Sequence, residues 1–188
     1  VSVVERMRQE GILADSKDIS AYLLDVGDSE RKSRILLERF ARLEQYILTH
    51  IPDDALRISC KQLNDDAVNE GISTSKEKDI RTLLYFLTVK GYTRKKEDVA
   101  HNMEIHRLAD MDTTIRRFEK RLVIGRFAIE WLYKLAAEAE KNKKSDNAVQ
   151  FSVVELLNQI KSTSQLLFGG IDEIQLEDVE EALLYLSK

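Results

Sequence analysis

With 188 residues, 43% hydrophobic and 33% charged, the chain can bury one good core or two small ones but falls short of a large enzyme. Seven glycines and a single proline are few for an all-β protein with its many turns, so the composition favours helices. The net charge of -4 argues against nucleic acid only as an average: residues 76–134 hold 14 Lys and Arg against 9 Asp and Glu, while 1–75 hold 10 against 14 and 135–188 hold 5 against 10. A bound polyanion would meet the middle of the chain.

No apolar run approaches the roughly 18 residues of a membrane span, and the N-terminal VSVVERMRQEG is charged where a signal peptide needs a hydrophobic block. A soluble, intracellular protein is expected. The chain starts at Val1 and stops at LLYLSK, which reads as a fragment cut from something longer. Cys60 is the one cysteine, which excludes an internal disulfide and a multi-thiolate zinc site; it reads as a small buried apolar side chain.

In chain order, Val4, Met7, Ile12, Leu13, Ile19, Leu23 and Leu24 predict a helical arm over residues 1–28, broken near Gly11. Asp28 or Ser29 can cap a long helix in which Ile35, Leu36, Phe40, Leu43, Ile47 and Leu48 form an apolar stripe, ended by Pro52. Ser59 and Gln62 have the spacing of a capping box before a short helix with Leu63, Ala67 and Val68, closed by Gly71. Thr74 and Glu77 repeat that spacing ahead of a helix whose Ile80, Leu83, Leu84 and Leu87 share one face and enter the core, with Gly91 as the stop. Alternation at Met103, Ile105 and Arg107 predicts a two-stranded ribbon with RKKED at its tip.

Helix, turn, helix and charged hairpin in this order predict a winged helix-turn-helix over residues 29–110. Asp112 or Thr113 then starts a connecting helix of about 30 residues with Ile115, Phe118, Leu122, Phe127, Trp131 and Leu135 on its apolar side, and the polar KNKKSDN closes this part at 146. Two more amphipathic helices over 147–188, the first with Ser152 and Glu155 in capping-box spacing, read as the opening of a truncated second winged-helix unit. The expected class is mainly α, with a small β-hairpin wing.

Catalytic signatures are missing. GDSERKS lacks the second glycine before lysine that lets a phosphate loop wrap its ligand. In HNMEIH, a strand puts Glu104 and His106 on one face and turns His101 away, and the helical HExxH spacing of zinc sites is absent. His50 at a helix end reads as a favourable C-terminal cation, and the acidic pairs Asp53–Asp54 and Asp65–Asp66 read as solvated or capping groups.

The basic middle is the informative part. On a helical wheel Lys78, Arg81, Thr82 and Tyr85 lie opposite the apolar face, residue types that contact phosphates and base edges from a helix in the major groove. Arg94, Lys95 and Lys96 add wing charge, and Arg116, Arg117 and Lys120 a basic run on the connecting helix. Tyr85 and Phe86, read as outward aromatics, ask for a partner. A solvated charged face, diluted by Glu77, Asp79, Glu97 and Asp98, is the plain alternative.

The run SCKQLNDDAVNEGISTSKEKDIRTLLYFLTVKGYTRKK, the preceding RILLERFARLEQYI and the closing EDVEEALLYLSK resemble the region C-terminal to the motor in large bacterial RecQ-like ATP-dependent DNA helicases. The likeness covers most of the chain from about residue 30 and lies in phrases and order, not in a catalytic signature. It implies an upstream superfamily 2 motor of 3'-5' type that binds ATP and Mg, with no cofactor in this segment. It also implies an accessory winged helix that docks duplex or forked DNA for unwinding in recombination and repair, in the bacterial cytoplasm at the nucleoid. Carried over by position, Lys78, Arg81, Thr82, Tyr85, Arg94, Lys95 and Lys96 would touch DNA. The four-cysteine zinc module usual in that family is not in this segment, and the acidic overall charge departs from a strong duplex binder. A winged helix that holds a protein partner is the competing expectation.

Overall fold

The structure, a computed structural model, describes residues 21–25, 30–72, 76–141, 148–167 and 174–186. It is mainly helical, with a small three-stranded antiparallel sheet. The elements described are β1 (Ala21–Asp25), α1 (Glu30–His50), β2 (Leu56–Ser59), α2 (Cys60–Asn69), α3 (Glu77–Val89), β3 (Thr93–Glu97), β4 (Asn102–Arg107), α4 (Met111–Lys141), β5 (Ala148–Ser152), α5 (Val153–Leu167) and α6 (Leu176–Leu186). They fall into two compact units, one made of Glu38–Glu119 and the other of the chain before and after it. No described helix is long and apolar enough to cross a membrane.

In the unit Glu38–Glu119 the order is helix, strand, helix, helix, hairpin. Its sheet runs β2-β4-β3, with Leu56 opposite Ile105 and Thr93 opposite Arg107. Local chemistry fixes the helix ends. Ser59 Oγ accepts the Gln62 N–H at 3.1 Å and starts α2, the N-cap half of the expected capping box, while the Gln62 side chain donates to Asp66 at 2.6 Å instead. Both α2 and α3 stop at a glycine with φ of 72°, Gly71 and Gly91, a left-handed conformation that costs any other residue a Cβ clash. Each closes with a paired 5→2 and 6→1 bond: Gly71 N to Val68 O and Ile72 N to Ala67 O, both 3.0 Å, then Gly91 N to Thr88 O at 3.2 Å and Tyr92 N to Leu87 O at 2.8 Å.

Four expectations about α1 to β4 are corrected. The N-cap of α3 is Lys76, whose N–H is accepted by Asp79 at 3.2 Å; Glu77 is already the first helical residue, and Thr74 lies outside the described residues. Ile35, Leu36 and Val68 are exposed, because the buried row of α1 runs through Leu37, Ala41 and Leu48, and that of α2 through Cys60, Leu63 and Ala67. Phe86 is 1% exposed and packs 6.3 Å from the Tyr92 ring, so it is a core residue, not an outward aromatic. The hairpin tip is Asp98–His101, while Arg94 to Glu97 lie on β3 itself. Asp98 turns the chain: it accepts the Ala100 and Asn102 N–H groups at 2.9 Å each, and His101 sits in the left-handed region with φ of 62°. The predicted faces hold elsewhere: Ile80, Leu83, Leu84 and Leu87 are buried, as are Met103 and Ile105 on the inner side of β4.

The other unit gathers Ile124, Ala128 and Leu132 of α4 with Phe151 and Val153, Leu156 and Ile160 of α5, and Val179, Ala182 and Leu183 of α6. Phe151 meets the Trp131 ring edge-on at 5.9 Å. A strand, not the expected helix, occupies residues 21–25, and it pairs antiparallel with β5, Ala21 opposite Ser152. The expected helical arm before it lies outside the described residues. The order of α4, β5, α5 and α6 repeats that of α1, β2, α2 and α3: helix, strand, helix, helix. Gly125 lies buried within α4, where an added Cβ would stand 3.8 Å from Leu37 and Leu186 side-chain carbons, ordinary contact. Gly125→Ala should therefore raise stability by about 0.5–1 kcal/mol through helix propensity and a less flexible unfolded chain. A urea melt checks it; a lowered midpoint would mean the methyl does not fit.

Candidate nucleic-acid interface

The outward face of α3 is a stripe at i, i+4, i+7 and i+11: Lys78, Thr82, Tyr85 and Val89, with Arg81 beside it. Tyr85 is 61% exposed and Val89 55%, while Thr82 spends its hydroxyl proton on Lys78 O at 3.0 Å. The wing is read by strand alternation. Arg94 and Lys96 point to the open face of the sheet, opposite His106 and Glu104; Lys95 points to the inner face with Thr93 and Glu97. The expected run of three wing cations is thus split two to one.

On the open face, Glu104 is taken by His106 Nε2 at 2.7 Å and Arg57 Nε at 3.4 Å. Among the described residues Arg94 and Lys96 have no ion pair, and neither has Lys78. On the inner face the charges are mutually engaged. Glu97 stands 3.5 Å from Arg81, 3.5 Å from Lys95 and 3.3 Å from His101, and Arg81 also holds Glu77 at 3.0 Å.

The basic run of α4 divides as well. Arg116 is exposed. Arg117 lays its guanidinium 3.8 Å from the centre of the Tyr92 ring and donates to Lys90 O at 2.6 Å and Gly91 O at 3.3 Å, so it caps the end of α3. Lys120 belongs to the other unit and pairs with Asp178 at 2.9 Å. Of ten candidate contacts, Lys78, Thr82, Tyr85, Arg94 and Lys96 are therefore presented by α3 and the open sheet face. Arg81 and Lys95 are already paired with Glu97, Lys95 from the inner sheet face, and the three on α4 do not gather as one group.

Sequence reasoning missed Glu97 as the meeting point of three basic side chains and Arg57 as a member of the open face. The period-two alternation of TRKKE carries a signal that could have separated Lys95 from Arg94 and Lys96; the Arg57 pairing depends on register between distant segments and carries none.

Hydrogen bonds from His101 hold the Glu97 carboxyl below its ordinary pKa, and those from His106 do the same for Glu104; backbone N–H groups lower Asp98 and Asp110. All four bind their protons more weakly folded than unfolded. Their stabilisation is complete above the ordinary carboxylate pKa of about 4 and is lost as pH falls through the lower folded values. The thermal midpoint should therefore drop on acidification below about pH 4.5, and drop less in a Glu97→Gln, Glu104→Gln variant. An equal drop in both would separate these pairs from the acid response.

Cys60 is buried, donates to Glu77 O at 3.6 Å, and has its thiol pKa pushed up by desolvation, so it is a poor nucleophile. Among the described residues no three His, Cys, Asp or Glu side chains are grouped to hold a metal ion. The arrangement offers cations, a phenol ring and hydroxyls to an anionic surface. No protein-family model, curated protein or solved structure matches the chain.

Proposed function

We propose that the unit Glu38–Glu119 is a winged helix that docks duplex or forked DNA, with α3 as the recognition helix and the β3–β4 hairpin as the wing. The sheet order β2-β4-β3 behind a helix, strand, helix, helix, hairpin chain supports this fold reading. One observation carries the functional reading: Lys78, Arg94 and Lys96, on the outward helix face and the open strand face, keep their charges free of carboxylates among the described residues. Cations held out in water with no internal partner are the groups that bind phosphate and release counterions.

With the resemblance to RecQ-like helicases, the chain is read as the accessory DNA-binding segment of such an enzyme, working at the bacterial nucleoid in recombination and repair. ATP and Mg belong to the motor, and no step of hydrolysis falls to these residues. The repeated helix, strand, helix, helix order in the other unit supports a second winged-helix-like module.

Fluorescence anisotropy of a labelled forked duplex tests the reading. The chain should bind with an affinity that falls steeply with salt, and Lys78→Ala, Arg94→Ala, Lys96→Ala together should weaken it about tenfold or more and flatten the log–log salt slope by about 2–3, whatever the sequence. Binding indifferent to salt and to the triple substitution overturns it. The exposed Tyr85 and Val89, with Val99 fully exposed at the hairpin tip, favour a second reading, a protein-docking winged helix. That reading predicts loss of a protein partner in Tyr85→Ala, Val89→Ser with no change in salt slope.

A further inference from the structure

We infer that Glu97 occupies an anion site built for a DNA backbone phosphate, so that the protein carries an internal competitor for its own ligand. The inference rests on the DNA-docking reading and adds to it a specific phosphate position and a brake on affinity.

Three basic groups from three places converge on one carboxylate: Arg81 from α3, Lys95 from β3 and His101 from the hairpin turn, at 3.5, 3.5 and 3.3 Å. All three are longer than the 2.7–2.9 Å of a tight charge-assisted hydrogen bond, so the carboxylate is surrounded more than it is gripped. A phosphodiester presents two oxygens and a full negative charge, and a planar guanidinium with an ammonium beside it suits such a group. The site is reachable: the Glu97 and Lys95 side chains keep a quarter of their exposure and Arg81 43%. It also lies where α3 meets the wing, since Arg81 comes from α3 and Glu97 and Lys95 from β3.

Glu97 itself is the last residue of β3, two residues from Lys95 on the same face. A rotation of its side chain away from Arg81 uncovers the cations without moving the backbone. Arg81 keeps Glu77 at 3.0 Å as a second partner, which holds the guanidinium in place when Glu97 leaves. The acidic group therefore costs affinity in the free protein: docking replaces a carboxylate by a phosphate, and the carboxylate left nearby repels the duplex.

The test is Glu97→Gln in the full chain, assayed on the forked duplex against salt. Removing the competitor should tighten binding about tenfold at low salt and steepen the salt slope by about 1–2, because Arg81 and Lys95 now release counterions to DNA. The gain should vanish when Arg81→Ala and Lys95→Ala are added. If Glu97→Gln binds no tighter while the Lys78, Arg94, Lys96 triple variant still weakens binding, the competitor role is wrong and the docking reading stands. If neither the native chain nor any variant binds DNA, both fall. A second measurement serves if the glutamine variant does not fold: on titrating the native chain with the duplex, the Glu97 side-chain carboxyl and His101 ring resonances should shift together. Shifts at Arg94 and Lys96 with Glu97 and His101 unmoved would overturn the inference.

Discussion

Phe86→Ala should cost the unit Glu38–Glu119 about 3–5 kcal/mol, the largest loss from any single change considered. The ring is 1% exposed in the same helix that carries the proposed DNA contacts, and it packs against Tyr92, which follows the glycine stop of α3. Removing it leaves a cavity between α3 and the strand that follows, and the helix and wing lose the contact that fixes their angle. A urea melt by circular dichroism reads the loss, with a midpoint shift at unchanged slope for a plain stability effect. A loss below about 1 kcal/mol would place Phe86 at the surface, as its position in the sequence first suggested.

Arg117→Ala should cost about 2–3 kcal/mol and leave the DNA salt slope of the folded protein unchanged. The side chain gives up two charge-assisted donations, to Lys90 O at 2.6 Å and Gly91 O at 3.3 Å, and its stacking over Tyr92 at 3.8 Å. The carbonyls it abandons end α3, where no helical N–H remains to take them. Sequence alone ranks Arg117 with the phosphate contacts; geometry makes it a brace for the recognition helix. A variant as stable as the native chain but with a flatter salt slope would restore the first assignment.

Most of the helix faces were legible. Ile80, Leu83, Leu84 and Leu87 share a face by 3.6-residue periodicity alone, and Ser59 with Gln62 marked the start of α2 because a hydroxyl three residues before a free N–H has one obvious use. The wing strand was legible in Met103 and Ile105 but its tip was not, since Arg94 to Lys96 look like a charged loop until the partner strand imposes alternation. The strand at 21–25 was missed because its pairing partner lies at 148–152, more than a hundred residues away, and no local pattern announces it.

The site was half legible. Residue types gave the cations, but which of them remain unpaired depends on where Glu97 and Glu104 fall, a matter of register and turn geometry. His101, in a left-handed conformation at the end of the turn, brings its ring to Glu97, and the DVAH sequence has no glycine to signal that turn.

The most direct test of the docking surface is an amide chemical-shift map of the labelled chain titrated with a forked duplex at low salt. The account predicts shifts gathered on Lys78, Thr82 and Tyr85 of α3 and on Arg94 and Lys96 of β3, fading together as salt is raised. Shifts centred on the acidic helix α6, or none on α3 and β3 at saturating duplex, would contradict it.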